Sequence, residues 1–196
     1  CVMIAIVDYK MGNLRSVENA LKRLGAEFTV TSDAAVIRSA DRVLMPGVGN
    51  AAEAMENLRA ADLVDVIRSL RRPVLGICVG MQVMCQHSEE GDAECLGIFD
   101  TKVRRFPLSL TEKVPHMGWN SIHNLDSKLL RNLQGGAHVY YVHSYYPELC
   151  QDTIATTHHG LMFSAALKYE NFYGTQFHPE KSGDIGELIL KNFIEL

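Results

Sequence analysis

The sequence predicts an α/β protein: an open, mostly parallel sheet with helices on both faces and antiparallel additions. Three observations carry that prediction. Residues 2–7 are an unbroken apolar run, the pattern of a strand buried on both faces. Such runs alternate with stretches of helical period up to residue 86, the β-α-β-α rhythm of a parallel sheet. From about Gly97 the helical periods give way to short alternating runs of the antiparallel kind.

Taken in order, residues 2–7 are the first strand and Asp8-Tyr9-Lys10-Met11-Gly12-Asn13 a loop. Leu14, Val17, Leu21 and Leu24 then recur at helical spacing, with Asn13 as N-cap and Gly25 just past the helix end. Phe28-Thr29-Val30 makes a second strand, and Arg42-Val43-Leu44-Met45 a third that ends at Pro46-Gly47-Val48-Gly49. Ala51, Met55, Leu58, Leu63, Ile67 and Leu70 lie on one helical stripe. Residues 73–77 form a fourth strand and residues 79–86 read as a helix. Runs at 114–125, 138–145, 153–157, 164–169 and 171–178 suggest strands that continue or decorate the sheet, with residues 105–113 as a loop. Ile185, Leu188, Ile189 and Phe193 share one face of a closing helix. With no repeat, low-complexity tract or linker, residues 1–196 read as a single domain.

Composition narrows the function classes. The 196 residues, 47% hydrophobic and 21% charged, suffice for a core that buries roughly 70% of the unfolded surface. No apolar run approaches the ~18–20 residues of a membrane-spanning helix. The net charge of −4 and the lack of a basic cluster larger than Arg71-Arg72 argue against nucleic-acid binding, which depends on neutralising phosphates. Five cysteines, at 1, 78, 85, 95 and 150, contain no C-x-x-C pair, so neither a zinc site nor a disulfide framework is expected. The opening residues are too short and too uncharged for a signal peptide, and a cytoplasmic protein without metal or cofactor is the expectation.

The most informative segment is Leu75-Gly76-Ile77-Cys78-Val79-Gly80-Met81-Gln82, where a buried strand runs into Cys78 and a helix begins at once. This is the pattern of a nucleophile elbow, G-x-C-x-G in place of G-x-S-x-G, with glycines that permit the sharp turn. The helix N-terminus beneath such a sulfur favours thiolate over thiol. A free cysteine is more commonly inert core packing, and Cys85 fits that description. A thiolate nucleophile needs a proton donor and base, and Gln176-Phe177-His178-Pro179-Glu180 supplies one. Pro179 holds His178 extended, and His178 and Glu180 then point to one side, so that Glu180 can orient the ring. A lone surface histidine is the alternative in a chain with eight of them. Pro46-Gly47-Val48-Gly49 also ends a strand and should reach the same sheet edge, either as an oxyanion site with the Val79 N–H or as a plain turn. His158-His159 has no partner at metal-ligand spacing and reads as a solvated loop.

Together Pro46-Gly47-Val48-Gly49, Gly76-Ile77-Cys78-Val79-Gly80-Met81-Gln82 and Gln176-Phe177-His178-Pro179-Glu180-Lys181-Ser182 resemble, in order and spacing, the class I (triad) glutamine amidotransferases. Pro115-His116-Met117-Gly118-Trp119-Asn120 and Tyr141-Val142-His143-Ser144-Tyr145 are most similar to the branch that serves imidazole glycerol phosphate synthases. The resemblance covers essentially the whole chain and implies a flavodoxin-like sheet, a Cys78–His178–Glu180 triad, and an oxyanion site from the N–H groups of Val79 and of Val48 or Gly49. It implies L-glutamine as substrate, held by Gln82, Ser144 and Tyr145. It also implies a (β/α)8-barrel cyclase partner that accepts the ammonia, docked on a face with Asn13, Trp119, Tyr140 and Lys181. A glutaminase for another acceptor, in pyridoxal phosphate or aminodeoxychorismate/anthranilate synthesis, is the alternative. Cys1 invites comparison with amidotransferases that use an N-terminal cysteine, but no base stands beside it.

Overall fold

In the first half of the chain, strands that are apolar throughout alternate with one-sided helices, and the result is a layered sheet. A computed structural model describes residues 2–12 and 14–196; the Asn13 cap and docking expectations and the Cys1 alternative lie outside them. In chain order the elements are β1 (Met3–Val7), α1 (Arg15–Arg23), β2 (Glu27–Thr31), α2 (Ala34–Ser39), β3 (Arg42–Met45), α3 (Ala51–Ala60), α4 (Val64–Arg68), β4 (Val74–Ile77) and α5 (Val79–Gln82). Then follow β5 (His87–Ser88), β6 (Ala93–Glu94), β7 (Lys102–Arg105), β8 (His116–Ser121), β9 (His138–His143) and β10 (Tyr145–Pro147). β11 (Thr153–His158), β12 (Met162–Tyr169), β13 (Phe172–Thr175) and α6 (Gly183–Ile194) close the chain.

The main sheet has seven strands in the order β11-β12-β13-β4-β3-β1-β2. Its five strands from β13 to β2 are parallel, and β12 and β11 add antiparallel. The central strands are solvent-free along Ile4–Val7 and Val74–Ile77, which is why their sequences carry no polar alternation. In α6 the buried side includes Ile189, Leu190 and Phe193. Among the described residues no helix is long and apolar enough to cross a membrane.

Two expectations are corrected. The stripe over residues 51–70 is two helices, because Asp62 turns to φ +59° and the Leu63 N–H bonds back to the Leu58 carbonyl. The helix expected over residues 79–86 ends at Gln82. Beyond it, the carbonyls of Val83, Met84 and Cys85 accept from the N–H groups of Leu96, Gly97, Ile98 and Phe99, so they are not available to continue a helix. The runs around β8 and β9 pair with each other in a two-stranded sheet that decorates the main one, tied to β11 by a bridge between His123 and Thr156. A four-stranded sheet, β10-β7-β5-β6, and the short helix α2 were not foreseen. Two-residue strands such as β5 and β6 are too short to show a period, and α2 buries only Ile37.

Candidate active site

Parallel register brings three sequence motifs to one edge. Thr175 of β13 lies beside Ile77 of β4, and Met45 of β3 beside Gly76, so the segments after each strand converge at the strands' C-terminal ends. Cys78 sits at the turn with φ +54° and ψ −114°, a conformation that costs energy for any residue with a Cβ. The turn is held by the Cys78 N–H donating to the Thr175 carbonyl at 2.8 Å, and α5 begins at the next residue. Gly80 is required there: a Cβ would lie 2.0 Å from the Met45 carbonyl oxygen, so only a bare backbone lets α5 approach β3.

His178 is extended, as expected, with its N–H on the Tyr140 carbonyl and its own carbonyl accepting from Ser182 Oγ at 2.6 Å. Its Nδ1 lies 3.0 Å from Glu180 Oε2, and both side chains are removed from solvent. Glu180 reaches the ring by a 3-10 turn over Pro179–Lys181, where the sequence suggested an extended segment. Burial alone would depress the His178 pKa. The Cys78 sulfur and the Glu180 carboxylate outweigh it and raise His178 well above an ordinary imidazole, favouring the imidazolium. His178 Nε2 has no hydrogen-bond partner among the described residues.

Cys78 opens on a cavity of about 170 Å³ that Val48, Gly49, Val79, Gln82, Ser144 and Tyr145 also line, every one of them a residue expected near substrate. A larger hollow of about 300 Å³ beside Asp8, Lys10 and Ser32 holds no nucleophile–base pair, so volume alone does not pick the site. Gln82 is buried, and its Nε2 donates to the Tyr145 carbonyl at 3.1 Å and to Gln176 Oε1 at 2.8 Å. The expectation for the Val79 N–H needs correction. It points at the Gly47 carbonyl at 3.3 Å, so in this conformation it is not available to an oxyanion. Pro46, one residue earlier, is pinned by the buried Tyr9 hydroxyl, which donates to its carbonyl at 2.5 Å.

Two residues near the sulfur were not anticipated. Gln176 Nε2 donates to Cys78 Sγ at 3.6 Å; it stands inside the quoted motif, yet nothing in the sequence assigns it a role. Glu90 lines the cavity, its Oε1 accepting from the Ala51 N–H at 2.8 Å, and burial raises its pKa. It lies in the polar stretch Ser88-Glu89-Glu90-Gly91-Asp92, which reads as an exposed turn, and only tertiary packing turns Glu90 inward.

Trp119 is 56% exposed, which removes the core-packing alternative. It lies opposite Tyr140 across the β8–β9 pair, with ring centroids 6.1 Å apart, while Tyr141 on the other face is fully buried. Tyr140 is tied to Ser182 Oγ through its N–H, and Lys181 is exposed one residue before that serine. Trp119, Tyr140 and Lys181 thus occupy neighbouring surface. His159 is not a solvated loop residue: its ring stacks on His116 at 4.0 Å. Cys85 is buried as expected. Among the described residues no His/Cys/Asp/Glu group is arranged to hold a metal.

His143 also faces the cavity, and His116 lies beside it. Burial lowers His143 to about 3 and His116 to about 4, against 6.5 for an ordinary imidazole. Both are flanked by His159, and His143 also by His178, which adds like-charge repulsion. A base whose pKa is depressed by folding binds its proton more readily when unfolded, so stability falls as pH drops from about 6.5 toward 4. His178, shifted the other way, contributes stability that is constant below about 6.5 and does not offset this loss. The thermal unfolding midpoint is expected to be lower at pH 5 than at pH 7, with each buried imidazole costing on the order of 1 kcal/mol. A midpoint unchanged between the two pH values would contradict the neutral, buried pair.

A family description named glutamine amidotransferase class-I matches residues 5–196. A relative from Bacteroides thetaiotaomicron, named imidazole glycerol phosphate synthase subunit HisH, is 53% identical over 98% of this chain and 99% of its own length. A relative of the same name from Bacteroides fragilis is 55% identical over the same shares. Among solved structures, a glutamine amidotransferase superposes with a TM-score of 0.73 at 19% identity, over 97% of each chain, a likeness of fold.

Proposed function

The chain belongs to the class-I glutamine amidotransferase family, and from that premise we propose that it is the glutaminase subunit of an imidazole glycerol phosphate synthase. It hydrolyses L-glutamine and delivers the ammonia to a (β/α)8-barrel cyclase, which makes imidazole glycerol phosphate and AICAR. The observation that carries the chemistry is Cys78, held at a strained turn on a cavity and coupled to a buried His178–Glu180 pair.

In this reading Cys78 Sγ attacks the side-chain amide carbon of glutamine, and the carbonyl electron pair moves onto oxygen. The proton on His178 Nε2 passes to the nitrogen as the C–N bond breaks, which releases ammonia and leaves a thioester. His178 Nε2 then takes a proton from water, whose oxygen attacks the thioester. Glutamate departs, and the thiolate–imidazolium pair is restored. Glu180 holds the ring and favours its charged form. Gln82 and the Ser144–Tyr145 backbone hold the substrate, and the Glu90 carboxylate matches an α-ammonium group.

The oxyanion donors are not assembled while the Gly47 carbonyl occupies the Val79 N–H. Turning over the peptide between Gly47 and Val48 replaces that carbonyl with the Val48 N–H; the rotation falls on ψ of Gly47, which has no Cβ to resist it, and on φ of Val48. Docking of the cyclase on the Trp119–Tyr140–Lys181 face is the event that drives it. The test is glutamate release by the chain alone, then with the cyclase and its ribonucleotide substrate. Stimulation of about 10²–10³, the worth of an oxyanion donor, is expected. Full activity of the chain alone overturns the closed oxyanion site, and activity without stimulation points to a different ammonia acceptor.

A further inference from the structure

The inner side of β8 carries buried groups that glutamine hydrolysis, as derived above, leaves unused. Hydrogen bonding there determines the position of every proton. His143 Nδ1 lies 2.7 Å from the Tyr145 carbonyl oxygen, which can only accept, so Nδ1 bears the hydrogen. The ring is neutral, so Nε2 is a lone pair, and it accepts from His116 Nδ1 at 2.9 Å. His116 is neutral too, and its Nε2 accepts from Asn120 Nδ2 at 3.2 Å. The Asn120 amide has one orientation: Oδ1 accepts from the Ser121 N–H at 2.8 Å, and Nδ2 also donates to the His158 carbonyl at 2.9 Å. The donors therefore run one way, from Asn120 through His116 and His143 to Tyr145.

Ring packing fixes the rings as firmly as the protons. His116 stacks with Tyr141 at 4.6 Å and with His159 at 4.0 Å, and Phe106 and Phe163 pack against His143 at 5.3 and 5.2 Å. The far end of the relay lies in the site. The same Tyr145 carbonyl accepts from Gln82 Nε2, and His143, Ser144 and Tyr145 line the cavity beside Cys78.

We propose that His116 is a positioning residue for substrate binding: its Nδ1–H holds His143 in the Nδ1–H tautomer, and His143 holds the Tyr145 carbonyl and with it the cavity-facing Ser144–Tyr145 backbone. The inference rests on the glutamine reading of that cavity. A His143 ring with its hydrogen on Nε2 would set N–H against the N–H of His116 and take the donor away from Tyr145.

The experiment has two arms. In the full-length chain labelled with 15N-histidine, the ring nitrogen shifts are expected to show His116 and His143 both in the Nδ1–H form at pH 7. In the assembled complex, His116→Phe keeps a stacking ring but removes the donor. Its KM for glutamine is expected to rise about tenfold, the size of one buried hydrogen bond, with kcat changed less than about twofold. His116→Gln, whose amide can donate to His143, recovers part of that loss. An Nε2–H His143 in the wild-type chain, or an unchanged KM in folded His116→Phe, overturns the proposal. Should His116→Phe not fold, the wild-type spectrum and the His116→Gln kinetics decide it. Absence of any glutaminase activity in the wild-type complex refutes the functional reading instead, and the tautomer spectrum still decides the relay.

Discussion

Replacing Cys78 with alanine is expected to lower glutamine hydrolysis by at least about a thousandfold, because the thioester cannot form and water alone is a poor nucleophile toward an amide. The fold should survive. Alanine, like cysteine, has a Cβ, so the turn at φ +54° is no more strained, and the N–H bond to the Thr175 carbonyl does not involve the side chain. What is lost locally is the sulfur's contact with Gln176 Nε2 at 3.6 Å. Glutamine should still bind, since Gln82, Glu90 and the Ser144–Tyr145 segment are untouched. Trp119, Tyr140 and Lys181 lie on the surface, apart from the buried sulfur, so the partner should still dock and make product from added ammonium salt. Glutamine-dependent and ammonia-dependent synthesis, measured side by side in the same complex, separate the outcomes. Retained glutamine hydrolysis removes Cys78 from the chemistry, and loss of both syntheses shows that the substitution disturbs assembly.

How much of this was legible in the sequence follows from what each feature depends on. The parallel strands were legible because burial on both faces forces a continuous apolar run, as in Ile4–Val7 and Val74–Ile77. The elbow and the extended His178 were legible because backbone geometry restricts residue choice there: glycine where a Cβ meets a carbonyl, proline after an extended histidine; the 3-10 turn that brings Glu180 to the ring was not. The early end of α5 was hidden, because Val83, Met84 and Cys85 are good core residues whose carbonyls are captured by a segment more than ten residues later. Glu90 was hidden for the same reason, since nothing local distinguishes a carboxylate turned inward from one in water. His159 read as solvated because its partner, His116, is forty-three positions away in the chain. The orientation of the Gly47 carbonyl was beyond the sequence altogether, because glycines that permit two orientations do not choose between them.

The second large effect is expected at Glu180. Its Oε2 accepts the His178 Nδ1–H at 3.0 Å, which leaves Nε2 for the reacting groups. Glu180→Gln keeps the size and an acceptor oxygen but removes the negative charge, so the imidazolium loses one of its two stabilising partners while Cys78 remains. The uncharged amide can also turn its NH2 toward the ring and stabilise the wrong tautomer. A loss in kcat of about 10²–10⁴ is expected, as when the orienting acid of a triad is neutralised. KM for glutamine should change little, because Glu180 is not among the residues that line the cavity. The sign of the pH effect follows from the same contact. Glu180 raises the His178 pKa, so its loss lowers it, and the alkaline limb of the kcat profile should move to lower pH. The measurement is the pH dependence of kcat for both forms in the assembled complex. A profile that keeps its alkaline limb, with kcat unchanged, would mean that Glu180 packs beside His178 without acting on it. A large loss in kcat with the limb displaced toward acid is what a carboxylate that orients and charges the imidazole requires.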